Sequence, residues 1–102
     1  MIRLIVEHIY DPPLTDEEHH RAARRLDPCL EAHGARWLAS YLAHDRRRAI
    51  CEFEAPDAES VREAMRLSGI PYERIWSANV FAVEDYPDML AKLKAVTEKT
   101  AR

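Results

Sequence analysis

Hydrophobic positions along the chain alternate in two rhythms. Residues 2–10 (IRLIVEHIY), 37–44 (WLASYLAH), 48–54 (RAICEFE) and 74–83 (RIWSANVFAV) are rich in β-branched and aromatic residues near a two-residue period, the signature of strands. In the first of these, Leu4, Val6, His8 and Tyr10 share one face, and Ile5, Glu7 and Ile9 the other. Apolar residues on both faces predict a central strand covered from both sides. Asp11-Pro12-Pro13 ends it, since neither proline donates to a ladder.

Two helices are predicted between the strands. Thr15 with Glu18 reads as a capping box, and Leu14 before it as a hydrophobic staple. This helix should turn Ala22, Ala23, Leu26 and Leu30 inward, kink or restart near Asp27 because of Pro28, and end at Gly34. Asp57 is the N-cap of the second helix, with Glu59 and Glu63 near its positive end. Val61, Ala64, Met65 and either Leu67 or Ser68 form its buried stripe, and Gly69 stops it. Between the second and third strands, His44-Asp45-Arg46-Arg47 makes a hairpin with no Asn-Gly turn, so its register stays open.

The order βαββαβ predicts an α+β fold: a ferredoxin-like sandwich, an antiparallel sheet with two helices on one face. Residues 1–84 form this domain. Residues 85–102 form a C-terminal helical extension that starts at Pro87 and carries a Met89-Leu90-Leu93-Val96 stripe.

Composition narrows the function classes. A chain of 102 residues with net charge −3 sets up no field for nucleic acid or an anionic membrane. The Arg46-Arg47-Arg48 run reads as a solvated turn. The apolar run at the N-terminus is too short for a signal peptide, and no stretch has the length of a membrane span, so a cytoplasmic protein with reduced Cys29 and Cys51 is expected. A sheet with one uncovered face predicts a homodimer as its partner, formed through that face.

The run LIVEHIY, then Leu14-Thr15, Trp37, Ser40-Tyr41, Cys51-x-Phe53-x-Ala55-Pro56-Asp57, Val61-Arg62-Glu63 and Gly69-x-Pro71-x-x-Arg74-Ile75 occur in an order and spacing that resembles a known family. It is the small bacterial family of ferredoxin-like nickel-binding proteins, long catalogued as a domain of unknown function, and the likeness spans residues 2–83. The resemblance implies a ferredoxin-like homodimer with surface nickel sites. Ala39 and Ala64 stand where members of that family often carry histidine, which implies weaker or relocated nickel binding here.

Five histidines are present. Asp16 and His20 are an i,i+4 pair with His19 beside them, and imidazole suits nickel, zinc and copper. The metal candidates are Asp16, His19 and His20, with His8 as a further ligand; nickel or another divalent transition metal is the expected cofactor, with no organic one. The competing reading for this helix face is plain solvation, as it is for His33 and His44.

Glu7 lies in an apolar strand and must be paired, hydrogen-bonded, protonated or at an interface. Strand parity lets it share the open face with Glu52, Tyr41, Asn79 and Ser77. An interfacial hydrogen bond to a partner subunit is the simpler reading. The other makes Glu7 and Tyr41 the catalytic groups of a small cofactor-free dimeric α+β-barrel enzyme, a monooxygenase or isomerase, with a histidine in an apolar cavity as a substitute base. Cys51 and His8 can approach if their strands are neighbours, although a lone strand cysteine is usually a small core residue. The leading expectation is a non-enzymatic, homodimeric metal-binding protein. A purely structural dimer is the third reading.

Overall fold

The computed structural model describes residues 1–88, 91, 92 and 94. Its elements are β1 (Ile2–Ile9), α1 (Asp16–Ala32), β2 (Arg36–Leu42), β3 (Arg48–Ala55), α2 (Ala58–Ser68), β4 (Arg74–Ala78) and a short 3-10 turn at Val83–Asp85. The four strands form one sheet in the order β2-β3-β1-β4, with each neighbouring pair antiparallel. With both helices packed on one face, this is the ferredoxin-like α+β fold.

The central strand is buried because its side chains are apolar on the helix face. Leu4 and Val6 are fully enclosed, opposite Phe53 and Cys51 of β3. Leu26 and Leu30, one helical turn apart on α1, and Val61, Ala64 and Met65 on α2 close the core from above. Ser68, not Leu67, completes the α2 stripe; its hydroxyl donates back to the Ala64 carbonyl at 2.8 Å.

Caps set the helix ends. The Thr15 hydroxyl accepts from the Glu18 amide at 3.1 Å, while among the described residues Glu18 returns no side-chain bond, so half the capping box forms. Asp57 accepts from the Ser60 amide at 2.8 Å. Both helices end in paired backbone bonds around a left-handed glycine. At Gly34 these run Gly34 to Glu31 and Ala35 to Leu30; at Gly69, Gly69 to Arg66 and Ile70 to Met65.

Several expectations need correction. Helix α1 runs unbroken through Pro28. The proline leaves the Arg24 carbonyl without its helical donor, but Leu26 and Leu30 on either side are buried and hold the backbone in register. Strand β4 ends at Ala78 rather than residue 83, leaving Val80 and Phe81 exposed beyond the ladder. Asn79 therefore lies outside the sheet, and Ser77, paired with Leu4, sits on the helix side rather than beside Glu7. Pro87 and Asp88 are helical, and the Met89-Leu90-Leu93-Val96 stripe lies outside the described residues.

Two irregularities shape the sheet. Pairing of β2 with β3 shifts between Trp37 and Ala39. This bulge places Trp37 and Ser40, three residues apart, on the helix face together, and Ala39 and Tyr41 on the open face. The β2–β3 hairpin turns through Arg46 at φ 63, a left-handed conformation that costs a non-glycine residue energy. It is held by the Arg46 guanidinium, which donates to the Leu14 carbonyl at 3.3 Å and to Asp16 at 2.8 Å.

Candidate functional site

A cleft opens between α1 and the β2–β3–β1 side of the sheet. Its empty space is about 470 Å³, counting the part open to solvent. Leu14, Ala22, Leu26, Leu42, Phe53 and Ile70 supply apolar walls, with His8, Tyr10, His19, Trp37, Ser40 and Cys51 among them. Among the described residues, no aspartate, glutamate, lysine or arginine lines it.

The bulge delivers a chain of contacts into this cleft. The Trp37 indole donates to the Ser40 hydroxyl at 2.8 Å, and Ser40 donates to the Cys51 sulfur at 3.1 Å. The Trp37 ring stacks on Phe53 at 5.9 Å between centroids and meets His19 edge-on at 6.1 Å. His8, only 4% exposed, bonds through Nδ1 to the Pro71 carbonyl at 3.0 Å. A carbonyl only accepts, so Nδ1 carries the proton and Nε2 keeps a lone pair.

Burial sets the charge states here. It lowers the His8 pKa, against the opposing pull of the Pro71 bond. It raises Cys51, with the Ser40 bond acting the other way, and pushes Tyr10 up to about 12 with help from Cys51. At neutral pH the cleft therefore holds a neutral imidazole, a protonated thiol and a neutral phenol. A thiol kept protonated is a poor nucleophile and a poor metal ligand. His8 and Cys51 do share the cleft, as adjacent strands allow, but not as an activated pair.

The predicted metal residues separate. His19 and His20 remain together, ring centroids 6.2 Å apart, His20 exposed and His19 half-buried at the cleft wall. The Asp16 carboxylate is taken by Arg46, whose hydrogen bond and charge lower its pKa. His8 is buried, with Nδ1 already engaged. Among the described residues no three His, Cys, Asp or Glu side chains gather to hold a metal ion. His19 and His20 are the predicted ligands that stay next to each other. Ala64 is fully buried against the core, so that position serves packing here.

The open face of the sheet carries the other candidates. Glu7 is half-buried and accepts from the Trp76 indole at 2.8 Å, so its hydrogen bond is made within the chain. Glu52 accepts from Arg3 at 2.9 Å. Hydrogen bonding to Glu52 and the charge of that carboxylate raise the Tyr41 hydroxyl above its ordinary value. Glu7 and Tyr41 both pair across to Ile50, from opposite sides, which sets them two strand spacings apart, about 10 Å. Neither reaches the cleft, which lies on the opposite face of the sheet. Sequence reasoning missed Ser40 and Tyr10 as cleft residues; the Trp37-to-Ser40 spacing, out of phase for a regular strand, was the available signal.

Comparison with known proteins places this geometry. No curated protein matches the chain. The solved structure of SCO4226 from Streptomyces coelicolor A3(2) superposes with a TM-score of 0.70 at 16% identity, covering 78% of this chain and 99% of that one. No helix among the described residues is long and apolar enough to cross a membrane. The family described as nickel responsive protein SCO4226-like matches residues 4–77, and this chain belongs to that family.

Proposed function

We propose that this protein is a non-enzymatic homodimer that binds nickel, or another divalent transition metal, through His19 and His20 near the start of α1. The carrying observation is that these two imidazoles stay adjacent and accessible, in a chain whose family is described as nickel responsive. The absence of any third clustered ligand among the described residues supports an open, readily exchanging site. Binding to imidazole competes with protons, so occupancy falls as pH drops through the range where histidines titrate. A protein with such a site senses or buffers the metal rather than storing it as a structural part.

Calorimetry of metal-free protein with nickel chloride at pH 7.5 tests this. Modest affinity is expected, lost by about tenfold or more in His19→Ala/His20→Ala, since removing two of two protein ligands leaves only water. Unchanged binding in that double variant, or none in the parent protein, overturns the assignment.

A further inference from the structure

The chain runs on beyond the stretch its family shares, which ends at residue 77. Residues 79–86 leave the end of β4 as an arm. Val80, Phe81, Val83 and Tyr86 are exposed along it, Phe81 at 73%. They are nonetheless held in place. The Asp85 amide donates to the Ala82 carbonyl and the Tyr86 amide to the Val83 carbonyl, both at 3.0 Å, and the Phe81 and Tyr86 rings stack 6.4 Å apart. Apolar side chains grouped in this way in water suit a contact surface. The arm is also acidic: Glu84, Asp85 and Asp88 carry its charge, and no basic residue lies between Arg74 and Lys92.

A hollow of about 250 Å³ lies at one end of the open sheet face. Exposed Ile9 and Ile50 give it an apolar floor, with Arg48, Arg74, Glu7 and Glu73 around them. Glu7 already accepts from the Trp76 indole. Among the described residues neither Arg48 nor Arg74 is in an ion pair. An apolar cavity of about 150 Å³ holds a benzene ring, so the hollow has room for the ring of a phenylalanine. The arm starts at the far end from it. Ala78 pairs with Arg3 and Arg74 with Glu7, which sets the two ends of β4 about 13 Å apart. Val80 and Phe81 stay exposed rather than fold back over their own sheet. A two-fold axis between two facing sheets, running across the strands, lays the Ala78 end of one β4 over the Arg74 end of the other. Each arm then lies above the other copy's hollow.

We propose that the arm docks on a second copy of this chain, Phe81 entering the hollow over the partner subunit's Ile9 and Ile50, and Glu84 and Asp85 meeting the partner's Arg48 and Arg74. The docking presupposes the homodimer proposed above and adds to it the segment that clasps the two copies. Charge-assisted pairs at the rim fix the register, and the buried ring supplies the affinity.

Sedimentation equilibrium of the full chain and its variants tests the clasp. Phe81→Ala should weaken the dimer about tenfold, the usual scale for an aromatic anchor. Glu84→Lys/Asp85→Lys makes the arm basic, and Arg48→Glu/Arg74→Glu makes the hollow acidic. Each of these variants alone should associate at least about tenfold more weakly than the parent, because like charges meet. An equimolar mixture of the two should regain the dimer mass, since each arm then meets a hollow of opposite sign. The arm variants lie outside the sheet, so they decide the matter if the hollow variant does not fold. Parent-like dimers of Phe81→Ala and Glu84→Lys/Asp85→Lys, while Ile50→Lys is a monomer, would overturn the clasp and leave the sheet-face dimer standing. A mixture that stays monomeric would overturn the charge pairing. A monomeric parent would overturn the dimer and the clasp together.

Discussion

His8 shows how one residue carries both a packing and a pH consequence. Its folded pKa is lowered from 6.5, chiefly because burial penalises the imidazolium. The unfolded chain regains the ordinary value and takes up the proton first as pH falls. The stability gained by keeping His8 neutral is therefore complete above about pH 6.5 and is lost as pH falls from there through the lowered folded value. His8→Gln keeps a side-chain N–H for the Pro71 carbonyl and cannot titrate. Melting temperature measured from pH 7.5 to 5 should fall less steeply in this variant than in the parent, and parallel slopes would refute the account. The parity of β1 already put His8 on the same face as Leu4 and Val6, so its burial was legible. Its bond to Pro71 was not, because that contact spans 63 residues of chain. The pairing of Asp16 was hidden for a like reason: Arg46 arrives from a hairpin 30 residues away.

At the scale of elements, local chemistry was readable and its exceptions were not. Thr15, Asp57, Gly34 and Gly69 all mark helix ends as expected, because capping depends on residues within a few positions of one another. Pro28 misled because a helix held by Leu26 and Leu30 tolerates one missing hydrogen bond. Residues 79–83 misled because β-prone side chains make a strand only where a neighbour is available to pair. The β2 bulge was visible only as a spacing out of phase. The two glycines give a sharp test. Both have positive φ, and a Cβ at Gly34 would meet Pro56 only at ordinary contact, 3.7 Å, while one at Gly69 meets nothing within 4 Å. Gly34→Ala and Gly69→Ala should each cost about 1 kcal/mol in urea denaturation, from backbone conformation alone. A cost at Gly34 several times that at Gly69 would show that the Pro56 contact, and not the left-handed turn, governs the helix end.

At the scale of the whole molecule, the two described helices α1 and α2 leave one face of the sheet uncovered among the described residues. There, Tyr41, Ile50 and Trp76 are 60%, 42% and 46% exposed, and Ile9 at the end of β1 is 63% exposed. These side chains come from all four strands and lie on one face of the sheet, an arrangement that suits association. Around it, Arg3–Glu52 and Arg36–Glu54 pairs neutralise one another and leave little net charge to oppose a second copy. The homodimer of the proposed function is expected through this face. Ile50→Lys tests it without attacking the fold. Ile50 stands opposite Glu7 in the ladder, so the new ammonium gains a cross-strand carboxylate in the free subunit. In a dimer the same ammonium would be drawn out of water at the centre of an apolar contact, at a cost of several kcal/mol unless fully paired. Sedimentation equilibrium should therefore give a dimer for the parent at micromolar concentration and a monomer for the variant, with unchanged far-ultraviolet circular dichroism. A parent monomer, or a variant that stays dimeric, would exclude this face as the interface.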